Sequence, residues 1–166
     1  MRIALIVFCC IISLSACKKS DKKEIYNENN TSVIDGVVYD IDEKPINGLY
    51  KTYFSNGNVK MEVYSQNGKP NGTGKFYNER GRLIYEGMFV DGRPVGTMYQ
   101  YYANGNVHNE MNYTDGMLDG TQRTYDKRGE LMVEIVFDKG QAVSGYAIVD
   151  GENSEFTPEE LQKFNH

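Results

Sequence analysis

Between Val59 and Phe137, apolar and polar residues alternate in runs that each begin two places after a glycine. Leu83, Tyr85, Gly87 and Phe89 form one series and Leu131, Val133, Ile135 and Phe137 another. Val59, Met61, Val63, Ser65 and Val107, Asn109, Met111, Tyr113 complete the set. Side chains of a strand point alternately to the two sides of its sheet, so each series occupies one face and predicts a strand. The series recur every 24 residues, and much else keeps the same step. Gly48, Gly72, Gly96 and Gly120 do so, as do Gly57, Gly81, Gly105 and Gly129, and Gly68, Gly92, Gly116 and Gly140. Tyr53, Tyr77, Tyr101 and Tyr125 and Glu62, Glu86, Glu110 and Glu134 follow them. Agreement at so many positions means a tandem array, a stack whose fold follows from one unit.

Asn56-Gly57 and Asn104-Gly105 predict tight two-residue turns with positive φ at both centres, and Arg80-Gly81 and Arg128-Gly129 fill the same slot. Asn67-Gly68, Asp91-Gly92 and Asp115-Gly116 mark the return turns. Each unit is thus a hairpin. The expected fold is all-β: an elongated antiparallel meander of about nine or ten strands, closed by a short C-terminal helix. Pairing across the turns sets Glu62 opposite Lys51, Glu86 opposite Lys75, Glu110 opposite Tyr99 and Glu134 opposite Arg123, with the four repeated tyrosines on the same face. One face is then a Tyr/Glu/Lys ladder and the other an apolar strip. A dozen apolar side chains on one face exceed the few hundred Å² that soluble monomers leave bare, so the sheet curls or something covers it. Tyr85, Phe89, Met111, Tyr113, Val133, Ile135 and Phe137 are the candidate interaction residues on this strip.

The array is bounded by less regular ends. Val33 to Asp42 supplies a further strand, and Gln141 to Asp150 reads as a decayed terminal unit, with Ser144 and Val149 where glycine and tyrosine belong. Thr157-Pro158-Glu159-Glu160 predicts a helix start, with Leu161 and Phe164 placed to seal one end. Before the array, Met1-Arg2 and the apolar run Ile3 to Leu14 have the length of an export signal and are too short to span a bilayer. The run closes on Leu14-Ser15-Ala16-Cys17, which resembles the bacterial lipobox and makes Cys17 the expected lipidation site. The division is a signal at 1–16, a lipidated cysteine and flexible tether at 17–32, a repeat domain at 33–150 and a tail with a short helix at 151–166. The tether is rich in Lys, Asn, Glu and Ser and cannot bury a core.

Losing Arg2 with the signal leaves 17 basic against 23 acidic residues, about −6, which argues against nucleic acid as a ligand. Cys9 and Cys10 leave with it too, so no internal disulfide is expected. His108 and His166 are the only histidines, too few for a catalytic triad or a histidine metal site. Asp40-x-Asp42-Glu43 lacks the glycine and closing glutamate of a calcium loop, and Gly72-x-Gly74 lacks the rest of a phosphate loop. Four equivalent glutamates, three of them opposite Lys or Arg, read as a structural ladder rather than a catalytic pair. No catalysis, metal or cofactor is expected.

The units resemble the variant MORN repeat, as in the YwqK-family antitoxins. The resemblance rests on Asn47-Gly48, Tyr53-Phe54, Asn56-Gly57 and Glu62 in the first unit, and on Val95-Gly96, Tyr101-Tyr102, Asn104-Gly105, Glu110 and Tyr113 in the third, and it covers about Lys44 to Gly140. It implies hairpin repeats, protein or lipid binding, and a broad antitoxin role. The export signal and lipobox set this chain apart from a cytoplasmic antitoxin. The expectation is a non-catalytic, outer-membrane-anchored lipoprotein of the bacterial envelope, facing the periplasm. It binds a partner protein, with a toxin as a special case, through its sheet. The alternative is a structural scaffold that pairs with itself as a homodimer.

Overall fold

The computed structural model describes residues 25–165. The export signal, Cys17 and the start of the tether lie outside the described residues. Fourteen strands and one helix follow in order. The strands are β1 (Ile25–Asn27), β2 (Thr31–Ile34), β3 (Val37–Asp40), β4 (Gly48–Tyr53), β5 (Val59–Gln66), β6 (Lys69–Tyr77), β7 (Leu83–Val90), β8 (Arg93–Tyr101), β9 (Val107–Thr114), β10 (Met117–Leu118), β11 (Gly120–Tyr125), β12 (Leu131–Asp138), β13 (Gln141–Val149) and β14 (Glu152–Glu155). Helix α1 spans Pro158–Gln162. β2 and β3 form a separate hairpin, and the other twelve strands form one sheet in the order β1-β4-β5-β6-β7-β8-β9-β11-β12-β13-β14, with β10 beside β9. Neighbours from β4 onward are antiparallel, so the array is the meander that the periodicity predicts.

The first strand departs from expectation. Ile25 to Asn27 falls in the expected tether, yet it pairs parallel with β4, placing Tyr26 beside Tyr50. Tyr26 packs against the cluster of Val38, Ile46, Tyr50 and Val63, and that contact gives a polar segment its reason to order. At the other end the sheet runs past Asp150, because Glu152–Glu155 pairs with β13.

The register matches the sequence reading. Lys51, Glu62, Lys75, Glu86, Tyr99, Glu110, Arg123 and Glu134 are successive cross-strand neighbours in one row. On the other face, Gly72 pairs with Phe89, Gly96 with Tyr113 and Gly120 with Phe137.

The turns correct the reading. At the tips only the glycine has positive φ, +84° at Gly57 and +91° at Gly105, and the two asparagines before them do not. Gly57 N–H donates to Phe54 O and Phe54 N–H to Asn58 O, which describes a type I turn followed by a glycine bulge. The two-residue turns with both centres at positive φ are instead the return turns: Asn67 at 50° with Gly68 at 74°, Asp91 at 48° with Gly92 at 83°, and Asp115 at 50° with Gly116 at 87°. Neighbouring tips are tied together. Asn56 and Asn58 both donate to Glu79 O, Asn104 and Asn106 both donate to Lys127 O, and Arg82 Nη1 donates to Ala103 O at 2.9 Å.

A single-layer sheet has no second layer to bury its apolar face. This one folds its large side chains flat across glycines of the next strand. A Cβ on Gly74 would meet the Phe89 ring at 2.8 Å, and one on Gly87 would meet Met98 Cγ at 2.5 Å. Phe76 and Phe89 also meet, with ring centroids 6.3 Å apart. The expected bare strip is therefore half covered by itself.

Candidate interaction surface

Both ends of the apolar face are closed by irregular segments. At the N-terminal end Ile46, fully buried, packs with Val38, Tyr50 and Val63. Val38 N–H donates to Gly68 O and Gly68 N–H to Ile46 O, which clamps the β2–β3 hairpin onto the first return turn. Removing a side chain of this size from water contributes about 2 to 3 kcal/mol. At the C-terminal end Leu161 of α1 covers Ile135 and Phe137, with Phe156 beside them. The helix starts as the sequence predicts: Thr157 caps it, Glu160 completes the capping box, and proline stands in the first turn. Leu161 seals the end, whereas Phe164 stays exposed with its ring 5.5 Å from Phe156.

Ile135 and Phe137, expected to face a partner, are each 4 % exposed beneath the chain's own helix. Val133 packs against the same cluster, and Phe89 packs against the N-terminal one. Tyr85, Met111 and Tyr113 remain in the middle, half-buried. Burial pushes the Tyr113 phenol above its ordinary range, with the nearby Tyr85 adding to it. Asn109 interrupts the strip: its amide donates to Gln100 Oε1 at 2.6 Å and its oxygen accepts from the Thr124 hydroxyl at 2.7 Å. The middle of this face is therefore a mixture of thioethers, phenols and one satisfied polar chain.

The opposite face carries the ladder. The hydroxyls of Tyr77, Tyr101 and Tyr125 donate to Glu62, Glu86 and Glu110 at 2.8, 2.6 and 3.0 Å, one bond per repeat step. Each phenol is driven up by burial first and by its glutamate second, Tyr77 to about 12. Glu62 is held below its ordinary range by its bond from Lys51 first and by Tyr77 second. Of the three expected ion pairs two form, Lys51–Glu62 at 2.9 Å and Arg123–Glu134 at 2.8 Å. Among the described residues Glu86 makes none with Lys75 and takes the Tyr101 hydroxyl instead. The ladder ends where the repeat decays, since Val149 stands in the tyrosine slot and Glu134 turns to Arg123. Sequence reasoning missed that this face also bears the more exposed apolar groups, Tyr64 at 41 % and Met88 at 46 %. Their even spacing from the glutamates was the available signal.

Among the described residues no group of three or more His, Cys, Asp or Glu could hold a metal ion, and no helix is long and apolar enough to cross a membrane. Two clefts lie one repeat apart between neighbouring tips. Asn58, Val59, Tyr77 and Gly81 line one, and Arg82, Leu83, Tyr101 and Gly105 line the other. Their recurrence makes them features of the unit rather than a dedicated pocket.

Residues 46–67, 94–115 and 118–139 match the MORN repeat variant family. Three stretches of the chain are thus similar to MORN-variant repeats. The segment between the first two matches keeps the same strands, turns and Tyr/Glu bond, so the repeat array is continuous in structure from β4 to β12. A comparison with curated proteins finds no match. Among solved structures, the repeat chain is similar to a mutant of S. aureus TarM in complex with fondaparinux, alpha-GlcNAc-glycerol and UDP, at 12 % identity over 75 % of this chain and 21 % of that one, with a TM-score of 0.27. A second crystal structure of TarM gives 15 % identity over 80 % and 22 % of the two chains, with a TM-score of 0.27. This chain thus spans about one fifth of the length of those proteins.

Proposed function

We propose that this MORN-repeat chain is a non-catalytic, lipid-anchored protein of the bacterial envelope that holds a partner protein on the middle of its apolar sheet face. One observation carries the reading. The chain's own Ile46 and Leu161 close the two ends of that face, while Tyr85, Met111 and Tyr113 between them stay half-exposed. Methionine adapts to irregular surfaces, and tyrosine combines apolar area with a hydrogen-bonding tip, so the patch suits a protein of mixed polarity. The Gln100–Asn109–Thr124 chain beside it favours a polar partner over a hydrocarbon surface. Anchoring rests on Leu14-Ser15-Ala16-Cys17 behind an apolar run, with an outer-membrane placement facing the periplasm. An antitoxin or immunity role, in which the partner is a toxin, is a special case supported by the likeness to YwqK-family antitoxins.

A photo-reactive residue in place of Met111 should crosslink in cells to one recurring protein. The same label at Lys60, on the opposite face, should not capture that protein. Equal capture from both positions, or none from Met111, rejects the reading. For the anchor, Cys17→Ser should move the protein out of the membrane fraction, and an unchanged distribution defeats that part alone.

A further inference from the structure

The row of charges on the ladder face has an order that the Tyr/Glu bonds do not require. From β4 to β12 the signs run plus, minus, plus, minus, neutral, minus, plus, minus, with Tyr99 as the neutral position. An alternation over eight strands is complementary to its own reverse, and Tyr99 removes only the central contact with Glu86. Turned about an axis that runs along the strands between β7 and β8, the row sets Lys75 over Glu110, Glu62 over Arg123 and Lys51 over Glu134, each contact occurring twice. We propose that the ladder face is an interface between two copies of this chain, stacked face to face about that two-fold axis.

Three further observations support the arrangement. Lys75 stands between Glu62 and Glu86 in the row, yet among the described residues it makes no ion pair within 4.0 Å. Its ammonium is available, and Glu110 of a second copy would receive it. Next, apolar side chains on this face, exposed Met88 and half-buried Val95, Leu49 and Val136, meet one another in the same register. Met88 pairs across the strands with Val95, so the two-fold lays each on the other's copy. Leu49, two residues before Lys51, likewise meets Val136, two residues after Glu134. Finally, the alternatives are worse. Moving the axis by half a strand spacing puts like charges over one another wherever both positions are charged. Moving it by a whole spacing keeps two of the three kinds of opposite-charge contact and, towards β12, lays Thr73 against Val136. Stacked sheets pack about 10 Å apart with their strands nearly aligned, close enough for these side chains to meet. The contact is isologous and closes on itself as a dimer. It leaves the apolar face free, so it stands or falls separately from the partner-binding reading.

The test uses the full chain in a non-ionic detergent, with mass read by size exclusion and light scattering. The native chain should be a dimer that weakens in 1 M salt, as screened ion pairs do. Lys75→Glu alone places a carboxylate over Glu110 at both contacts, and Glu110→Lys alone places two ammonium groups together at both, so each variant should be monomeric. Mixed in equal amounts, the two variants regain both opposite-charge contacts and should form a heterodimer. Lys75 and Glu110 lie three strands apart within one chain, about 14 Å, so no contact within a chain explains that rescue. If charge reversal unfolds either variant, Lys75→Gln and Glu110→Gln should each weaken the dimer about tenfold or more. A native chain that stays monomeric, single variants that dimerise like the native chain, or a mixture that remains monomeric overturns the proposal.

Discussion

Ser65 stands in the slot that Phe89, Tyr113 and Phe137 fill in the other repeats, and its hydroxyl is buried without a hydrogen-bond partner among the described residues. The neighbouring Val63 is where Val38 and Ile46 press onto the sheet, so a ring at this slot would compete with Ile46 for space. A buried, unpaired hydroxyl costs about 1 to 3 kcal/mol. Ser65→Ala should therefore stabilise the chain by about 1 kcal/mol in urea unfolding, and a destabilised variant would mean the hydroxyl has a partner after all. The sequence marked Ser65 as the one irregular member of its series but gave no cause, because the cause comes from residues nearly twenty positions earlier in the chain. The ladder makes a residue-scale prediction about pH. Tyr77 in the folded chain is raised from its ordinary 10.0 to about 12, so its contribution is complete below pH 10 and is lost as pH climbs through about 12. Glu62 is depressed below its ordinary 4.5, so its contribution is present above that value and fades as pH falls through the folded-state pKa. Tyr77→Phe should flatten the alkaline fall in stability measured by denaturant midpoint between pH 9 and about 12.

At the scale of elements, the two kinds of turn differ in what surrounds them. A Cβ on Gly68 would come within 2.5 Å of Val37 Cγ1 and Val38 O, in a backbone at φ +74°. Gly92 holds the equivalent place at φ +83°, with only Pro70 Cδ near, at 3.9 Å. Gly92→Ala should thus cost about 1 to 2 kcal/mol for the left-handed conformation alone. Gly68→Ala should cost about 3 kcal/mol or more, because it also pries off the β2–β3 hairpin. Equal costs in chemical unfolding would show that the hairpin does not clamp this turn. The strands and their register were legible because a 24-residue step repeats the same face choice four times over. The tip geometry was not, since Asn-Gly serves both a two-residue turn and a type I turn with a glycine bulge, and only the length of the flanking strands decides between them. Strand β1 was equally hidden. Its three residues have no periodicity, and it orders through Tyr26 against a cluster assembled from distant segments. The helix was legible from its capping box, but its target was not, so Ile135 and Phe137 read as free when Leu161 covers them.

Over the whole molecule, stability is a sum of like units between two unlike ends, and that makes a length change the sharpest test of the architecture. Deleting residues 73–96 joins Gly72 to Thr97, which stands one repeat step after Thr73, so every later strand keeps its direction and its face. The N-terminal clamp at Ile46 and the C-terminal seal at Leu161 are both retained, and the tip, return turn and Tyr/Glu bond of the joined unit follow the same pattern. The shortened chain should fold cooperatively to a β-rich monomer or dimer with a lower midpoint, since one nearest-neighbour interface is gone. Removing residues 73–84, half a step, takes out one strand instead of two and reverses the direction of everything that follows. The chain could then pair its strands only by abandoning the row from Lys51 to Glu134. Circular dichroism and urea unfolding of the two deletions separate the cases. A half-step deletion as well folded as the full-step one would mean that the sheet is held by its ends rather than by its repeating rows, and that the 24-residue period is not the unit of folding.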